Sequence, residues 1–195
     1  MLTFVWDVDD VLNDLMRTWF TSTWLPAHPA CRVKYADIVQ NPPHEVLGIS
    51  KAEYLESLDS FRLSTRARAM SPNSDIMEWF CTHGARHRHM ALTARPLDST
   101  PYLSEWLFHH FGDYLRFFGV VPTRQEAGVP VYDTTKEEFL RWFGKADLLI
   151  DDSEENIAAA GRLGIRSILY PQPWNSSKKT VDETLRQLAE LAEAN

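Results

Sequence analysis

Five short runs of apolar residues, separated by segments with helical spacing, limit this chain to a small set of folds. The runs are LTFVW (2–6), HMALT (89–93), RFFGVV (116–121), DLLID (147–151) and SILY (167–170). Most of them are continuous rather than alternating, which is typical of parallel strands that are buried on both faces. Strands that alternate with helices predict an α/β sheet with right-handed crossovers.

The segments between these runs carry the start and stop signals of helices. Such signals occur in residues 74–84, 99–112, 153–164 and 180–194. Ser153 precedes two glutamates and is the expected N-cap of the third helix. The last helix has one apolar face, formed by Val181, Leu185, Leu188 and Ala192. We expect this face to pack on the core of the protein.

Residues 15–70 interrupt the alternation of strands and helices. They are rich in Trp, Phe and Leu, contain two helix-like stretches, and show no strand pattern. We therefore predict an α/β core domain formed by residues 1–14 and 71–195, with residues 15–70 inserted as a small helical unit. The insertion contains the aromatic residues Trp19, Phe20, Trp24 and Phe61. They either line a pocket or pack inside the insertion, and we predict packing.

Charge and composition exclude several functional classes. The net charge of −7 argues against a nucleic-acid polymer as a partner, because phosphate contacts need a basic face. Cys31 and Cys81 form neither a disulfide framework nor a zinc motif, and we expect buried thiols. No apolar run approaches the ~20 residues of a membrane span, and no basic leader precedes the first aspartates. We expect a cytoplasmic protein without membrane contact, and we leave its oligomeric state open.

Polar residues stand where the predicted strands end. They are Asp7 and Asp9 after the first strand, Thr93 at the end of the second, and Asp151 and Asp152 at the end of the fourth. Ligands of open parallel sheets bind at the carboxyl ends of the strands, so these side chains are expected to converge. Asp7 and Asp9 are two residues apart and are expected to leave their strand on the same face. Lys136, near the start of a predicted helix, adds an ammonium group.

This set of residue types suits phosphoryl transfer. An all-oxygen set of carboxylates selects a hard divalent cation, and we expect Mg²⁺. The ion and Lys136 would offset the repulsion between the aspartates and still attract a phosphate. One carboxylate can then act as the nucleophile. A second carboxyl group can protonate the leaving oxygen if its neighbours hold its pKa up.

The motifs DVDDVL, LTARP, Lys136 and IDDSEEN, in this order, resemble the four signature motifs of the haloacid dehalogenase (HAD) superfamily. The match spans residues 4 to about 156, and the first and last motifs are the most specific. It implies a Rossmann-like core with a cap that closes over the substrate, here residues 15–70. The short cap and PQPWN (171–175) further resemble the 5′(3′)-deoxyribonucleotidase branch.

The resemblance implies a role for each motif residue. Asp7 would be the nucleophile, and Asp9 would be the general acid and then the base. Thr93 would donate to the phosphoryl oxygens and Lys136 would neutralise charge on them, with Lys145 as the alternative lysine. The implied Mg²⁺ ligands are Asp7, Asp9 through its main-chain carbonyl, Asp152, and Asp151 directly or through water.

Asp9 points to phosphate-ester cleavage, because superfamily members that act on other bonds are expected to lack an acid there. Asp10 stands where glycine is common, and we interpret it and Asp14 as structural or solvated. Leu15 stands where the nucleotidase branch has an aromatic residue, which leaves Trp19, Phe20 or Trp24 as candidates for base stacking.

The leading hypothesis is a Mg²⁺-dependent hydrolase of a small phosphomonoester, with a 5′-nucleotide as the finer alternative. A phosphoacceptor switch and a non-catalytic binding or regulatory protein on the same kind of fold are the rival hypotheses.

Overall fold

The computed structural model describes residues 1–124 and 128–194, and its centre is one parallel sheet. Its strands are β1 (Thr3–Trp6), β2 (Arg88–Arg95), β3 (Leu115–Pro122), β4 (Leu148–Asp151) and β5 (Arg166–Leu169). They pair in the order β3-β2-β1-β4-β5, and all pairings are parallel. Each strand overlaps one of the apolar runs, so the predicted α/β fold is confirmed.

The segment between β1 and β2 begins with short helices. They are α1 (Leu15–Trp19), which continues through a π-helical stretch (Phe20–Trp24) into α2 (Leu25–Ala27), then α3 (His44–Leu47), α4 (Lys51–Arg62) and α5 (Thr65–Arg68). Residues 15–70, all of which the structure describes, form no strand. Below, "cap" denotes residues 15–70 and "core" the rest of the chain; the division into two domains stays our interpretation.

The cap has an apolar cluster of its own. Its centre includes Trp19, Phe20, Trp24 and Phe61, each at most 3% exposed. Tyr54 and Leu58 of α4 close the cluster from the other side. The prediction that the four aromatic residues pack inside the insertion is therefore confirmed.

Helices of the core cover both faces of the sheet. They are α6 (Ser74–His83), α7 (Thr100–Phe111), α8 (Lys136–Phe143), α9 (Glu154–Arg162) and α10 (Val181–Glu193). On one face α6, α7 and α10 pack against Phe4 and Trp6, and on the other α8 and α9 pack against Val5. Neighbouring strand residues point to opposite faces, so β1 contributes to both clusters. Among the described helices, none is both long and apolar enough to span a bilayer.

The cap leaves and rejoins the core at one place. Asn13 and Pro72 form an isolated antiparallel bridge. Beside it, the Asn73 backbone N–H donates to the Leu12 carbonyl at 2.9 Å, and the Asn73 amide donates to the Val11 carbonyl at 3.2 Å. Both ends of the inserted segment are therefore fixed to the loop that follows β1.

The expectation of buried thiols is wrong. Cys81 is exposed because α6 turns Ile76, Trp79 and Phe80 towards the core and leaves position 81 on its outer face. Cys31 is half-buried in the irregular segment that follows α2.

His89 is an imidazole buried in the core beside β1. Its Nδ1 accepts a hydrogen bond from Trp6 Nε1 at 3.1 Å, and its Nε2 lies 2.8 Å from the Gly84 carbonyl. A carbonyl can only accept, so Nε2 carries the proton and the ring is neutral. Burial lowers the pKa of His89 to about 4.

We expect His89 to make the folded state less stable in mild acid. The unfolded chain takes up this proton near the usual pKa of about 6.5 and the folded chain only near 4, so stability falls as pH drops through that window. The expected contribution is a loss of about 2 kcal/mol between pH 7 and pH 5. Urea unfolding of the native chain and of His89→Gln at both pH values isolates this contribution. A variant that loses as much stability as the native chain would contradict the prediction.

Candidate active site

The loop after β1 places the first aspartates. The strand ends at Trp6, so the expectation that Asp7 and Asp9 leave a strand on one face is wrong. The chain turns instead because Asp10 adopts a φ of 64°. The Asp7 N–H still donates to the Ile150 carbonyl at 2.8 Å, which fixes the start of the turn to β4. Asp7 and Asp9 nevertheless line the same cleft.

Asp10 is a structural residue and is not solvated. Its positive φ lies in the left-handed region, which favours glycine and which Asp tolerates better than most residues. Its buried carboxylate accepts from the Met16 N–H at 2.8 Å, at the start of α1. Its carbonyl accepts from Gln172 Nε2 at 2.6 Å. Aspartate thus replaces the glycine of the resembled motif and adds a cap for the first helix.

Three carboxylates converge at the carboxyl ends of β1 and β4. Asp7, Asp151 and Asp152 are buried, and each offers an oxygen within 4.8 Å of the others. Lys136 Nζ lies 2.7 Å from Asp7 Oδ1 and 2.7 Å from Asp151 Oδ2. Lys136 is the first residue of α8, where the helix dipole disfavours a cation. The two carboxylates offset this effect and stabilise the ammonium charge. Lys145 is exposed in the turn before β4, away from the cluster.

The electrostatics of this cluster are dominated by burial and by like charges. Burial raises the pKa of Asp7 well above its usual range, and Asp151 and Asp152 raise it further against the effect of Lys136. Burial and Asp151 also raise the pKa of Asp152 to about 6. Asp151 and Asp7 hold the pKa of Lys136 above its usual value despite its burial. Three carboxylates therefore share one ammonium group.

The geometry of the cluster fits a small divalent cation. Oxygens bound to one Mg²⁺ at about 2.1 Å lie at most about 4.2 Å apart. The three carboxylate oxygens lie within 4.8 Å of one another, so at most a small contraction is needed to reach that value. The donor set consists of oxygen alone, which matches the preference of Mg²⁺.

Asp9 is held by arginines from both parts of the chain. Its carboxylate pairs with Arg95 of β2 and, at 3.1 Å, with Arg62 of α4 in the cap. Burial alone would raise the pKa of Asp9, but Arg95 and then Arg62 bring it below its usual value. In this state Asp9 is therefore not the carboxyl group with a raised pKa that the proton-donor role calls for. Arg95 forms a salt bridge here, and Arg62 could not be assigned from sequence because it lies in the insertion.

Thr93 brings a hydroxyl group to the cleft. It lies on β2 and is 1% exposed. Its Oγ1 finds no hydrogen-bond partner among the described residues, although it is buried. A buried hydroxyl without a partner is unfavourable, and an oxyanion in the cleft would satisfy it.

The segment 171–175, here called the Trp174 loop, lies against the aspartates. Trp174 Nε1 donates to Asp152 Oδ2 at 2.7 Å, and Asn175 Nδ2 donates to the Asp152 carbonyl at 2.9 Å. Gln172, which belongs to the same loop, donates a hydrogen bond to the Asp10 carbonyl. The PQPWN motif therefore lies beside the candidate metal ligands.

The cleft between core and cap measures about 390 Å³. Its lining from the core includes Asp7, Asp9, Thr93, Lys136 and Asp152. Its lining from the cap includes Tyr54, Leu55, Leu58 and Arg62. Trp19, Phe20 and Trp24 are absent from the described lining, so base stacking on them is excluded in this state.

A second ion pair, between Asp59 and Arg124, joins the cap to the core at the rim of this cleft. Asp59 of α4 accepts from Arg62 at 3.0 Å and from Arg124 at 2.9 Å. Arg124 also donates to Asp98 at 3.0 Å. Positive and negative charges therefore alternate along the rim, in the order Arg62, Asp59, Arg124 and Asp98.

Comparison of the sequence with protein-family models and with curated proteins finds no match. Solved structures do match over nearly the whole chain. A HAD-like family hydrolase from Streptococcus pneumoniae is 14% identical, with a TM-score of 0.61 and coverage of 98% of both chains. A HAD-superfamily hydrolase of subfamily IA from Geobacter sulfurreducens is 16% identical, with a TM-score of 0.58 and coverage of 98% of this chain and 96% of its own.

A HAD hydrolase from Bacillus subtilis, described as bound to magnesium, is 12% identical, with a TM-score of 0.52 and an alignment that covers 98% of each chain. At such identities the likeness establishes the fold alone. The chain has the Rossmann-like α/β fold of HAD hydrolases, as its motifs predict.

Proposed function

We propose that this chain is a Mg²⁺-dependent phosphatase that hydrolyses a small phosphomonoester through an aspartyl-phosphate on Asp7. The observation that carries the proposal is the convergence of Asp7, Lys136, Asp151 and Asp152 in one buried cluster at the carboxyl end of the sheet. The unpartnered hydroxyl of Thr93 supports it. The magnesium-bound neighbour of the same fold supports the choice of metal.

Each step has a residue to carry it. A carboxylate oxygen of Asp7 attacks phosphorus, the ester P–O bond breaks, and the leaving oxygen takes a proton from Asp9. Water then attacks the aspartyl-phosphate, Asp9 accepts the proton of that water, and the breaking O–P bond restores Asp7. Thr93 and Lys136 donate to the phosphoryl oxygens. Bound Mg²⁺ would supply further positive charge to those oxygens.

Asp151 and Asp152 would hold the Mg²⁺ ion together with Asp7. Asp151 is held in place because it ends β4 and accepts from the Ser153 N–H at 2.9 Å and from Asn156 Nδ2 at 3.0 Å. The Asp9 carbonyl remains the proposed main-chain ligand. The Asp9 carboxylate forms salt bridges with Arg62 and Arg95 and is not part of the carboxylate cluster.

Asp9 must leave its arginines before it can act as an acid, because they stabilise its ionised form. Arg62 belongs to the cap, so movement of the cap away from the core would remove one of the two ion pairs. The same movement would open the cleft to substrate. Cap movement and acid function are therefore expected to be linked.

A 5′-nucleotide is the finer substrate hypothesis. The cleft offers Tyr54, Leu55 and Leu58 of α4 as an apolar wall opposite the aspartates. These side chains can cover a base or another apolar leaving group. Turnover of nucleoside 5′-monophosphates, compared with sugar phosphates under equal conditions, tests this choice.

Chelation provides the first test of the proposal. We expect the chain to release phosphate from 4-nitrophenyl phosphate in the presence of Mg²⁺. EDTA should reduce the rate to that of the buffer, because three buried carboxylates then lack the charge that allows a phosphate to approach. Excess Mg²⁺ should restore the rate. Full activity in EDTA would contradict the metal dependence.

The arginines on Asp9 favour one second candidate, a phosphoacceptor that turns over slowly. An ionised Asp9 is a poor proton donor to a leaving group. Incubation with acetyl phosphate, whose leaving group needs no acid, followed by mass measurement of the intact chain distinguishes the two. A long-lived phosphorylated chain supports the phosphoacceptor, and rapid release of phosphate supports the phosphatase.

A further inference from the structure

The Trp174 loop contacts both the candidate metal ligands and the cap. On one side, Trp174 and Asn175 donate to the side chain and to the backbone carbonyl of Asp152. On the other side, the Trp174 ring packs against the apolar cluster of the cap and meets the Tyr35 ring edge-on, with 6.3 Å between ring centroids. Trp174 therefore lies between the two parts of the chain that form the cleft.

The indole N–H suits the task of fixing a carboxylate. It is a donor only, so it engages one carboxylate oxygen and cannot exchange roles with it. Its 2.7 Å bond to Asp152 Oδ2 leaves the other oxygen of Asp152 for a cation. The half-buried ring packs against an apolar cluster, which limits its movement and helps to fix the orientation of the donor.

The loop itself is anchored at several points. Gln172 Nε2 donates to the Asp10 carbonyl at 2.6 Å, and Tyr35 Oη donates to Gln172 Oε1 at 3.4 Å. Asn175 Nδ2 also donates to the Tyr170 carbonyl at 2.8 Å. The position of Trp174 thus follows from contacts on both sides of it.

We propose, on the basis of the metal site in the proposed function, that Trp174 is a positioning residue that holds Asp152 ready to bind the cation. Hydrogen bonds to the ligands of a metal orient them, and their loss typically weakens metal binding by about 10–100-fold. Trp174 would act through Asp152 and would not contact the substrate phosphate.

The test compares two tryptophans whose indole N–H groups both bond an aspartate. Trp174→Phe removes the donor and keeps an aromatic ring in the cap cluster. Trp142→Phe is the matched control, because Trp142 Nε1 donates to Asp133 Oδ2 at 2.9 Å on the exposed side of α8. Calorimetric titration of the full chain with Mg²⁺, without substrate, measures the dissociation constant of the ion.

We expect Trp174→Phe to raise this dissociation constant by roughly 10–100-fold. Trp142→Phe should leave it within about twofold of the native value, because Asp133 lies outside the cluster. Raising the Mg²⁺ concentration should restore phosphate release by Trp174→Phe, and urea unfolding in EDTA should show that the variant without Mg²⁺ is folded, which separates weaker binding from a defect in folding. Trp174→His, which keeps a ring N–H, should weaken binding less than Trp174→Phe and serves if the phenylalanine variant does not fold.

Equal Mg²⁺ affinity of the native chain and Trp174→Phe would overturn the role of Trp174 and leave the proposed function standing. A native chain that binds no Mg²⁺ would overturn both. Equal losses in the Trp174 and Trp142 variants would overturn the role of Trp174, because the effect would then not depend on Asp152.

Discussion

Replacement of Asp7 by asparagine is expected to reduce phosphate release by roughly 10⁴-fold or more, which is the scale of loss when a catalytic nucleophile is removed. The amide cannot form the acyl-phosphate bond. Rates with 4-nitrophenyl phosphate at saturating Mg²⁺ measure the loss. A mass increase of one phosphoryl group in the quenched native chain, absent from Asp7→Asn, would show that the intermediate forms on this residue.

The same variant should fold at least as well as the native chain when Mg²⁺ is removed. Burial, Asp151 and Asp152 all disfavour the charge of Asp7, and asparagine removes that charge. Lys136 keeps Asp151 as a partner. Asp14→Asn is the matched control, since Asp14 is exposed and its side chain caps no helix, and its activity should stay within about twofold. Retained activity in Asp7→Asn would contradict the mechanism.

Lys136→Met is expected to damage both stability and activity. Lys136 is 4% exposed and lies between two buried carboxylates, and removing one member of such a buried pair costs about 3–5 kcal/mol. The raised pKa of Lys136 means that its contribution is present throughout the neutral range and is lost only in strong alkali. Urea unfolding in EDTA at pH 7 measures the loss. Phosphate release should fall by roughly 10²–10³-fold, because one fixed donor to the phosphoryl oxygens disappears.

Mg²⁺ should recover part of the stability of Lys136→Met, since the ion binds the same carboxylates. Lys145→Met provides the control: Lys145 is exposed at the opposite end of β4, and its loss should change the unfolding free energy by no more than about 0.5 kcal/mol. Similar effects in both variants would refute the assignment of Lys136.

The sequence predicts the sheet and the convergence of the candidate site residues well, for a physical reason. Most of the strands contain a continuous apolar run, and the carboxyl ends of parallel strands lie at one edge of the sheet. Asp7, Lys136 and Asp151 are far apart in sequence, yet topology alone brings them together. The choice of Lys136 over Lys145 follows in the same way, from the end of the sheet at which each lysine lies.

The contacts that the sequence does not predict are those that depend on how the cap sits on the core. Arg62 reaches Asp9 across 53 positions of the chain, and Trp174 reaches Asp152 from a loop with no regular structure. Neither contact leaves a periodic pattern. The conformation of Asp10 is hidden for another reason: an aspartate rarely adopts a positive φ, so its letter alone does not indicate one.

The bridge between Asn13 and Pro72 has a consequence for how such a protein can evolve. The two ends of the inserted segment are neighbours in space, so a segment of another length can join the same two points of the core. Recombination can exchange the inserted segment for a shorter or longer one without changing the path of any strand. Descendants of one ancestral scaffold can thus acquire new recognition surfaces while they inherit the same buried carboxylates.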